Sequence, residues 1–298
     1  MLASVALAVA ALALGATAQS LPATATAADL ALVDAQYENS GLGKDGNAGF
    51  GIDLDAKAIL TVVYPSAGVI QNGQAYSVDR VSERPDLYIT PSQETVGWFN
   101  ESSRYTVALA DASSLGDPDA EGNYRHFLAN GLTGAAPTSG NLTFQPENGN
   151  VITYYAAPGP IAGTGPHRYA WLVFAQPADF AAPSNLSTAG TAPSHWYVNS
   201  YVQETGLQLV AASFFTVMNG DATGSVAATE AVNTATLSIS SAASSAASSG
   251  ASSTAAPSST SAGAKPSSSA GNSSGAASLA VSIGAGLIGL VGVAAALC

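Results

Sequence analysis

A histidine and an arginine directly follow a glycine- and proline-rich turn near the middle of the chain. The turn spans residues 159–166, and His167, Arg168 and Tyr169 come next, followed by the apolar run 170–175. Glycine and proline fix the backbone path of such a turn, and a strand holds the side chains that lie on it in place. A histidine and an arginine at a rigid corner are suited to holding an anionic group.

Short β-branched and aromatic runs, separated by turn residues, would form the elements that position this corner. Such runs predict strands, and they occur at residues 58–64, 86–90, 104–110, 151–155, 169–175 and 212–217. A short helix is predicted at residues 200–205, with Asn199 as its N-cap and Gly206 at its end. The sequence therefore predicts a mainly β domain with a few short helices.

The order and spacing of these motifs resemble the phosphatidylethanolamine-binding protein family. Its members carry a Gly-Pro-rich turn, then Gly-x-Gly-x-His-Arg-Tyr, then an apolar strand that ends in Gln, and residues 159–176 match this pattern. They also carry a strand Tyr-Thr-x-x-x-x-Asp and, further on, His-Phe-Leu. These are matched by residues 105–111 and 126–128. The resemblance spans roughly residues 30–217 and is strongest to secreted fungal members.

The resemblance implies a sandwich of two antiparallel sheets with a small surface pocket that takes phosphate-like or carboxylate groups. Carried over position by position, the ligand-binding residues would be Asp111, Tyr124, His126, Gly159, Pro160, His167 and Tyr169. The two histidines would donate hydrogen bonds to the anion, and Asp111 would position them. The ligand would be a phospholipid headgroup, a phosphorylated metabolite or a carboxylate. Arg168 is expected to brace the turn by pairing with a carboxylate.

One segment departs from the family pattern. Where the family reads Asp-Pro-Asp-Ala-Pro, residues 111–115 read Asp-Ala-Ser-Ser-Leu, so that Ser113 replaces a second carboxylate. Nucleophilic catalysis needs an activated Ser or Cys beside a base, and ordinary turn hydrogen bonding explains Ser113 better. Asp111, His126 and His167 have the side-chain types of a metal site but no local metal-binding spacing. We therefore expect no catalytic residue, no metal and no cofactor.

Two functions besides ligand binding remain open. Some family members inhibit a serine carboxypeptidase, partly through their N-terminal segment, and the segment after Gln19 is expected to be exposed and flexible. A structural role in the cell wall or in adhesion is the other alternative. Nucleic acid is not expected as a partner, because the formal net charge is −12.

Both ends of the chain carry targeting patterns. Residues 1–18 predict a signal peptide, and residues 19–222 would form the folded domain. Residues 223–272 are rich in Ser, Ala and Thr and predict a disordered, O-glycosylated stalk. Residues 273–298 end in an apolar tail and predict the removed propeptide of a glycosylphosphatidylinositol (GPI) anchor. A C-terminal membrane span is the alternative.

These patterns together predict an extracellular glycoprotein, held at the cell surface by a lipid anchor in the plasma membrane or by the cell wall. The anchor is expected on Asn272, and N-glycans are expected on Asn100, Asn141 and Asn185. The single cysteine, Cys298, lies in the segment that would be removed. The mature domain is therefore expected to be stable without a disulfide.

Overall fold

The computed structural model describes residues 24–44, 49–100, 102–116, 121–135, 142–144, 148–221, 232 and 237. The chain divides into two units, Met1–Ser244 and Ser245–Cys298, and all described residues lie in the first. The predicted signal peptide, the anchor propeptide, Asn272 and all but two residues of the predicted stalk lie outside the described residues. No helix in the described part is long and apolar enough to cross a membrane.

Within these ranges the chain forms two α-helices and twelve β-strands. In chain order they are α1 (Ala27–Asn39), β1 (Ala58–Tyr64), β2 (Gly68–Val69), β3 (Ala75–Tyr76), β4 (Asp86–Pro91), β5 (Tyr105–Ser114), β6 (Asn123–Leu132), β7 (Gly134–Ala135), β8 (Leu142–Phe144), β9 (Asn150–Thr153), β10 (His167–Ala175), β11 (Ser194–Trp196), α2 (Val198–Thr205) and β12 (Gln208–Val217). Short 3₁₀ helices lie at Val78–Val81, Val96–Trp98 and Ser184–Leu186.

The strands form two sheets, as the resemblance implied. The five-stranded sheet has the order β2-β1-β4-β8-β7, and the seven-stranded sheet has the order β11-β6-β5-β10-β12-β3, with β9 added beside β6. All strand pairs in the described part are antiparallel except β12 and β3, which are parallel. The predicted mainly β sandwich is therefore confirmed.

The seven-stranded sheet is buried on both faces at its centre. Successive side chains of a strand point to opposite faces. On β5, Val107 and Leu109 pack with residues of the five-stranded sheet, whereas Ala108 and Ala110 pack with residues of α1 and α2. The central strands therefore read as continuous apolar runs rather than as alternating ones.

Helix α1 was not predicted from the sequence. Its N-terminus carries a capping box, in which the Thr26 side chain accepts from the Asp29 N–H and the Asp29 side chain accepts from the Thr26 N–H. This arrangement satisfies two backbone donors that the first turn leaves free. Leu30, Val33 and Tyr37 form the buried face of the helix.

The N-terminal segment is packed into the fold from Ala25 onwards. Ala25 forms a parallel bridge with Ser92, and its N–H donates to the carbonyl of Pro91 at 3.0 Å. The expectation of an exposed, flexible segment after Gln19 is therefore wrong for Ala25, which is buried, whereas Thr26 is exposed but is held in the capping box. Residues 19–23 lie outside the described part.

Helix α2 begins before the predicted helix. Its N-cap is Tyr197 rather than Asn199, whose side chain instead accepts from the Ser200 N–H at 2.7 Å. Gly206 ends the helix as predicted, with a φ of 67° in the left-handed region that favours glycine.

Candidate functional site

The ends of three neighbouring strands form the floor of a cavity of about 480 Å³. Asp111 of β5 is paired with Tyr124 of β6 on one side and with Tyr169 of β10 on the other, and His126 and His167 lie two residues from these partners. The cavity is lined by Asp111, Ser113, Tyr124, His126, Ala156, Ala157, Gly159, Pro160, Ile161, His167, Pro193 and His195. The structure thus brings together all seven predicted ligand-binding residues except Tyr169.

His167 is fixed through both of its ring nitrogens. Nδ1 lies 2.8 Å from Oδ2 of Asp111, and Nε2 lies 2.7 Å from Oγ1 of Thr164. Thr164 donates its hydroxyl proton to the carbonyl of Ile161 at 2.7 Å, so its oxygen accepts from His167. The Asp111 carboxylate only accepts, so Nδ1 of His167 is the donor in their hydrogen bond. Both ring nitrogens of His167 are therefore engaged by groups of the protein, and its role as a donor to an anion stays a prediction.

His126 is held through Nδ1. Its Nδ1 donates to the carbonyl of Ala156 at 2.9 Å, and the Ala156 N–H donates to the His126 carbonyl at 2.8 Å. The side chain is largely buried, and burial lowers the pKa of His126, although the bond to Ala156 and the charge of Asp111 oppose this effect. The neutral ring presents the lone pair of Nε2, which becomes a donor when the ring is protonated.

A third histidine, His195 of β11, completes the wall and was missed by the sequence reasoning. It pairs with Tyr124, whose ring lies 5.1 Å from the ring of His195 and 5.1 Å from that of His126. Nδ1 of His195 contacts a carboxylate oxygen of Glu121 at 3.1 Å. The chain contains three histidines, and all three line this cavity. That scarcity was the one signal in the sequence that pointed to His195.

Tyr169 lies beneath the cavity rather than on its wall. The residue has no exposed surface, and its ring packs between those of His126 at 5.3 Å and Phe215 at 5.9 Å. Its hydroxyl has no hydrogen-bond partner within the described ranges. Burial raises the pKa of this hydroxyl, and the nearby charge of Asp111 raises it further. Tyr169 therefore supports the two histidines from below.

Arg168 points away from the cavity side of β10, and its guanidinium hydrogen-bonds to backbone carbonyl groups. Its guanidinium donates to the carbonyls of Ala112 at 2.7 Å, Ser40 at 3.0 Å and Gly41 at 2.9 Å. It also donates to the carbonyl of Ser113 at 3.2 Å. These bonds tie the end of β5 to the chain that follows α1. Through these carbonyls the side chain holds the end of β5, whereas the sequence predicted that it braces the turn at residues 159–166 by pairing with a carboxylate.

Ser113 holds Asp111 from its other side. Its N–H donates to Oδ1 of Asp111 at 2.6 Å, and its φ is 59°, the single positive φ of a non-glycine residue in the described part. The surroundings of Gly159 leave room for a side chain, because a Cβ at that position would meet only the carbonyl of Ala157 at 3.9 Å. The fold itself therefore does not require glycine at position 159.

The arrangement can hold a small polar ligand against a neutral histidine and an ion pair. Alanine, proline and isoleucine side chains from the segment between β9 and β10 form its apolar side, contributed by Ala156, Ala157, Pro160 and Ile161. No cluster of three or more His, Cys, Asp or Glu side chains that could hold a metal ion occurs among the described residues.

The family model described as phosphatidylethanolamine-binding protein matches residues 64–215, just over half of the chain. The chain belongs to this family. The matched range contains the strands and side chains that form the cavity floor, from Asp111 to Tyr169. The residues that match the family model therefore include those that form the cavity floor.

Two curated yeast proteins are similar to this family member. The carboxypeptidase Y inhibitor of Saccharomyces cerevisiae is 27% identical over 183 residues, which are 53% of this chain and 82% of the inhibitor. A second, uncharacterized protein of the same yeast is 24% identical over 172 residues, which are 54% of this chain and 81% of that protein.

Solved structures of the family are also similar. The carboxypeptidase Y inhibitor in complex with its cognate proteinase has a TM-score of 0.49 and 21% identity, covering 63% of this chain and 95% of that one. The phosphatidylethanolamine-binding protein of Plasmodium vivax has a TM-score of 0.42 and 12% identity, covering 56% of this chain and 87% of that one.

Proposed function

We propose that the folded domain is a non-catalytic binding protein that inhibits a serine carboxypeptidase. The similarity to the yeast carboxypeptidase Y inhibitor supports this function, because the matched residues cover 82% of that inhibitor. The family is named for binding rather than for a reaction. Within this proposal, the residues that precede Ala25 insert into the protease, and the domain behind them serves as a rigid support.

Inhibition is tested with yeast carboxypeptidase Y, a chromogenic peptide substrate and the domain beginning at Gln19. A second protein begins at Thr24, and the expected result is a loss of inhibition of at least tenfold. Trimming should stop there, because Ala25 and the capping box of Thr26 and Asp29 belong to the fold. An unchanged thermal midpoint shows that the trimmed protein is intact. If the untrimmed domain does not inhibit at high concentration, the proposal fails.

A second function, the binding of a small anionic group, is favoured by the cavity itself. Its floor carries His126, His167 and Asp111 in one hollow that is open to solvent. The Asp111 carboxylate already accepts a hydrogen bond from Nδ1 of His167, which lessens its repulsion of an entering anion. The donor available to it is Nε2 of His126, once that ring is protonated.

This second function predicts binding that strengthens as the pH falls. Burial lowers the pKa of His126, so the ring gains its proton only below the usual histidine range. Acetate, of which more than half is ionised at pH 5 and nearly all at pH 8, is a suitable probe, because its own titration can only reduce the expected effect. Inorganic phosphate and phosphorylethanolamine distinguish a free phosphate from a headgroup. NMR titration should show acetate binding at pH 5 that is at least tenfold stronger than at pH 8.

The matched variant is His126→Gln, which keeps a donor for the carbonyl of Ala156 but cannot be protonated. It should bind acetate with no change between pH 5 and 8. A pH dependence that survives in His126→Gln would assign the effect to another group and contradict this role. If phosphorylethanolamine binds no better than inorganic phosphate, the headgroup reading is excluded.

We further propose that the protein acts at the cell surface. The targeting patterns of residues 1–18 and 273–298 support export and a lipid anchor. Asn100 and Asn185 lie at exposed positions, where glycans would be tolerated, whereas Asn141 lies outside the described residues. A structural role at the wall remains the alternative, and normal surface behaviour of a His126/His167 double-alanine protein would favour it.

A further inference from the structure

A second cavity, of about 440 Å³, lies on the other side of His195. His195 lines both cavities, but the other residues of the second one come from β6, β11, α2 and the chain around residues 183–191. Arg125 of β6 lies at its inner end, directly between Tyr124 and His126 in sequence, and faces away from the first cavity. Neither of the two functions proposed above involves this second cavity.

Arg125 is a buried cation without a carboxylate partner in the described part of the chain. It is 2% exposed. Its Nε donates to Oγ1 of Thr153 at 2.7 Å, and its Nη2 donates to the carbonyl of Ala192 at 2.9 Å and to Oγ of Ser194 at 3.4 Å. All three acceptors are neutral. Burying a guanidinium without an anion is costly.

One end of this guanidinium is unused. Arginine has five N–H donors, and the three bonds described above occupy Nε and Nη2. Nη1 makes no hydrogen bond to any described residue. The ring of Trp196 lies beneath the guanidinium at 5.6 Å, and its own Nε1–H also has no partner within the described ranges. The inner end of the cavity therefore lacks a hydrogen-bond acceptor.

The outer part of the cavity has the opposite charge. Glu204 lies on the exposed side of α2 and lines the cavity, and Glu121 lines it beside His195. These carboxylates and the net charge of −12 disfavour a simple anion. A ligand that carries an ammonium group beside its carboxylate would satisfy both ends. Pro183, Leu186 and Trp196 supply an apolar wall.

We propose that this second cavity binds a small zwitterion, an α-amino acid with an apolar side chain. The carboxylate lies against Nη1 of Arg125, the ammonium group lies toward Glu204, and the side chain lies against Leu186 and Trp196. The site is separate from the histidine-lined cavity, and it does not depend on protease inhibition or on the protonation of His126.

The ligand class is tested by calorimetric titration at pH 7 with L-leucine and two analogues that each lack one charge. These are 4-methylpentanoate, which has no ammonium group, and 3-methylbutylamine, which has no carboxylate. L-leucine should bind at least tenfold more tightly than either analogue, because the loss of one charged hydrogen bond weakens binding by a factor of about ten or more. Equal binding of 4-methylpentanoate, or of N-acetyl-leucine, would overturn the zwitterion. If L-leucine does not bind at about 10 mM, a roughly 50-fold molar excess over the protein, the proposed site is overturned.

Variants locate the site. Arg125→Met should weaken L-leucine binding at least tenfold, and Arg104→Met, which removes an arginine outside this cavity, should not change it. Glu204→Gln should weaken L-leucine but not 4-methylpentanoate. His126→Gln should leave L-leucine binding unchanged, which separates this site from the first cavity.

Loss of Arg125 also removes bonds to the backbone, so a variant that keeps it is needed. Ser200 is an exposed residue of α2 that lines the cavity, and Ser200→Trp fills the space without touching the buried guanidinium. The expected result is a folded protein that no longer binds L-leucine. Unchanged binding in both Ser200→Trp and Glu204→Gln would show that the amino acid binds elsewhere and would overturn the proposal.

Discussion

At the residue scale, the two histidines on the cavity floor are held by different partners. His167 is held by the Asp111 carboxylate and by a threonine oxygen, and both of these accept. His126 is held by a carbonyl and is more deeply enclosed, so that burial lowers its pKa. Two identical side chains, which the sequence treats alike, thereby have different hydrogen-bond partners and different access to solvent.

The pKa of His126 predicts an acid-sensitive stability. Because its pKa in the folded protein lies below the unfolded value of about 6.5, the unfolded state binds more protons between these values. The free energy of unfolding should therefore decrease as the pH falls below about 6.5, by about 1.4 kcal/mol for each unit of the shift. Urea unfolding at several pH values measures this effect.

His126→Gln removes this contribution, so the difference between the wild-type protein and the variant isolates it. His195→Gln, which changes an exposed histidine of the same cavity, serves as the comparison variant. If the free energy of unfolding depends on pH in His126→Gln as it does in the wild-type protein, the titrating group is not His126.

At the element scale, helix α1 is joined to the sheet region by a half-buried carboxylate. Oδ1 of Asp34 accepts from the Ala56 N–H at 3.0 Å, just before β1. Burial raises the pKa of Asp34 to about 6, although the bond to Ala56 opposes this effect. The helix is therefore fixed by a group that is poorly solvated when it is charged.

Asp34→Asn should stabilise the protein at neutral pH. Between pH 3.8 and about 6 the folded state binds more protons than the unfolded state, so the wild-type protein loses stability as the pH rises through this range. The amide keeps an acceptor for Ala56 and carries no charge. Partial solvent screening limits the gain to about 1 kcal/mol or less at pH 8.

The gain should disappear at pH 3.5, where the wild-type carboxyl group is also neutral. Thermal unfolding at both pH values checks this result, with Asp86→Asn, an exposed carboxyl of β4, as the control. A destabilised Asp34→Asn protein at pH 8 would show that the charge contributes favourably to the contact with Ala56.

The elements were predicted to different degrees for physical reasons. Six of the strands were found to within a few residues, because β-branched and aromatic residues mark a buried strand. The central strand β6 (Asn123–Leu132) was not predicted, because Asn, Arg, His and Gly interrupt its apolar residues. Helix α1 was missed because its buried face consists of Leu30, Val33 and Tyr37 among alanines and polar residues. His195 was missed because pairing between β11 and β6, not any local motif, brings it to the cavity.

At the scale of the whole molecule, the family resemblance identified residues that the structure brings to one cavity, but it could not give their depth. Spacing placed Tyr169 with the histidines, and the structure places it on the same strand face but under the cavity. The ends of the chain remain predictions from sequence patterns, because residues 1–18 and 273–298 lie outside the described part.

The proposed lipid anchor predicts release of the full-length protein from cells. Treatment of intact cells with a phosphatidylinositol-specific phospholipase should move the protein into the medium, because the enzyme cleaves the anchor that would be attached at Asn272. Replacement of residues 271–275 by bulky residues should abolish surface display. Retention on phospholipase-treated cells would instead favour a C-terminal membrane span or a covalent link to the wall.

Packed residues cover both faces of β5 and β10, so the floor of the histidine-lined cavity should change little when a ligand binds. Strands enclosed in this way are usually the last to exchange their amide hydrogens with solvent. The cavity floor therefore belongs to the slowest-exchanging part of the molecule, and a ligand meets a surface that is already arranged. Any adjustment on binding falls to the segment between β9 and β10, whose amides should be the ones that gain protection.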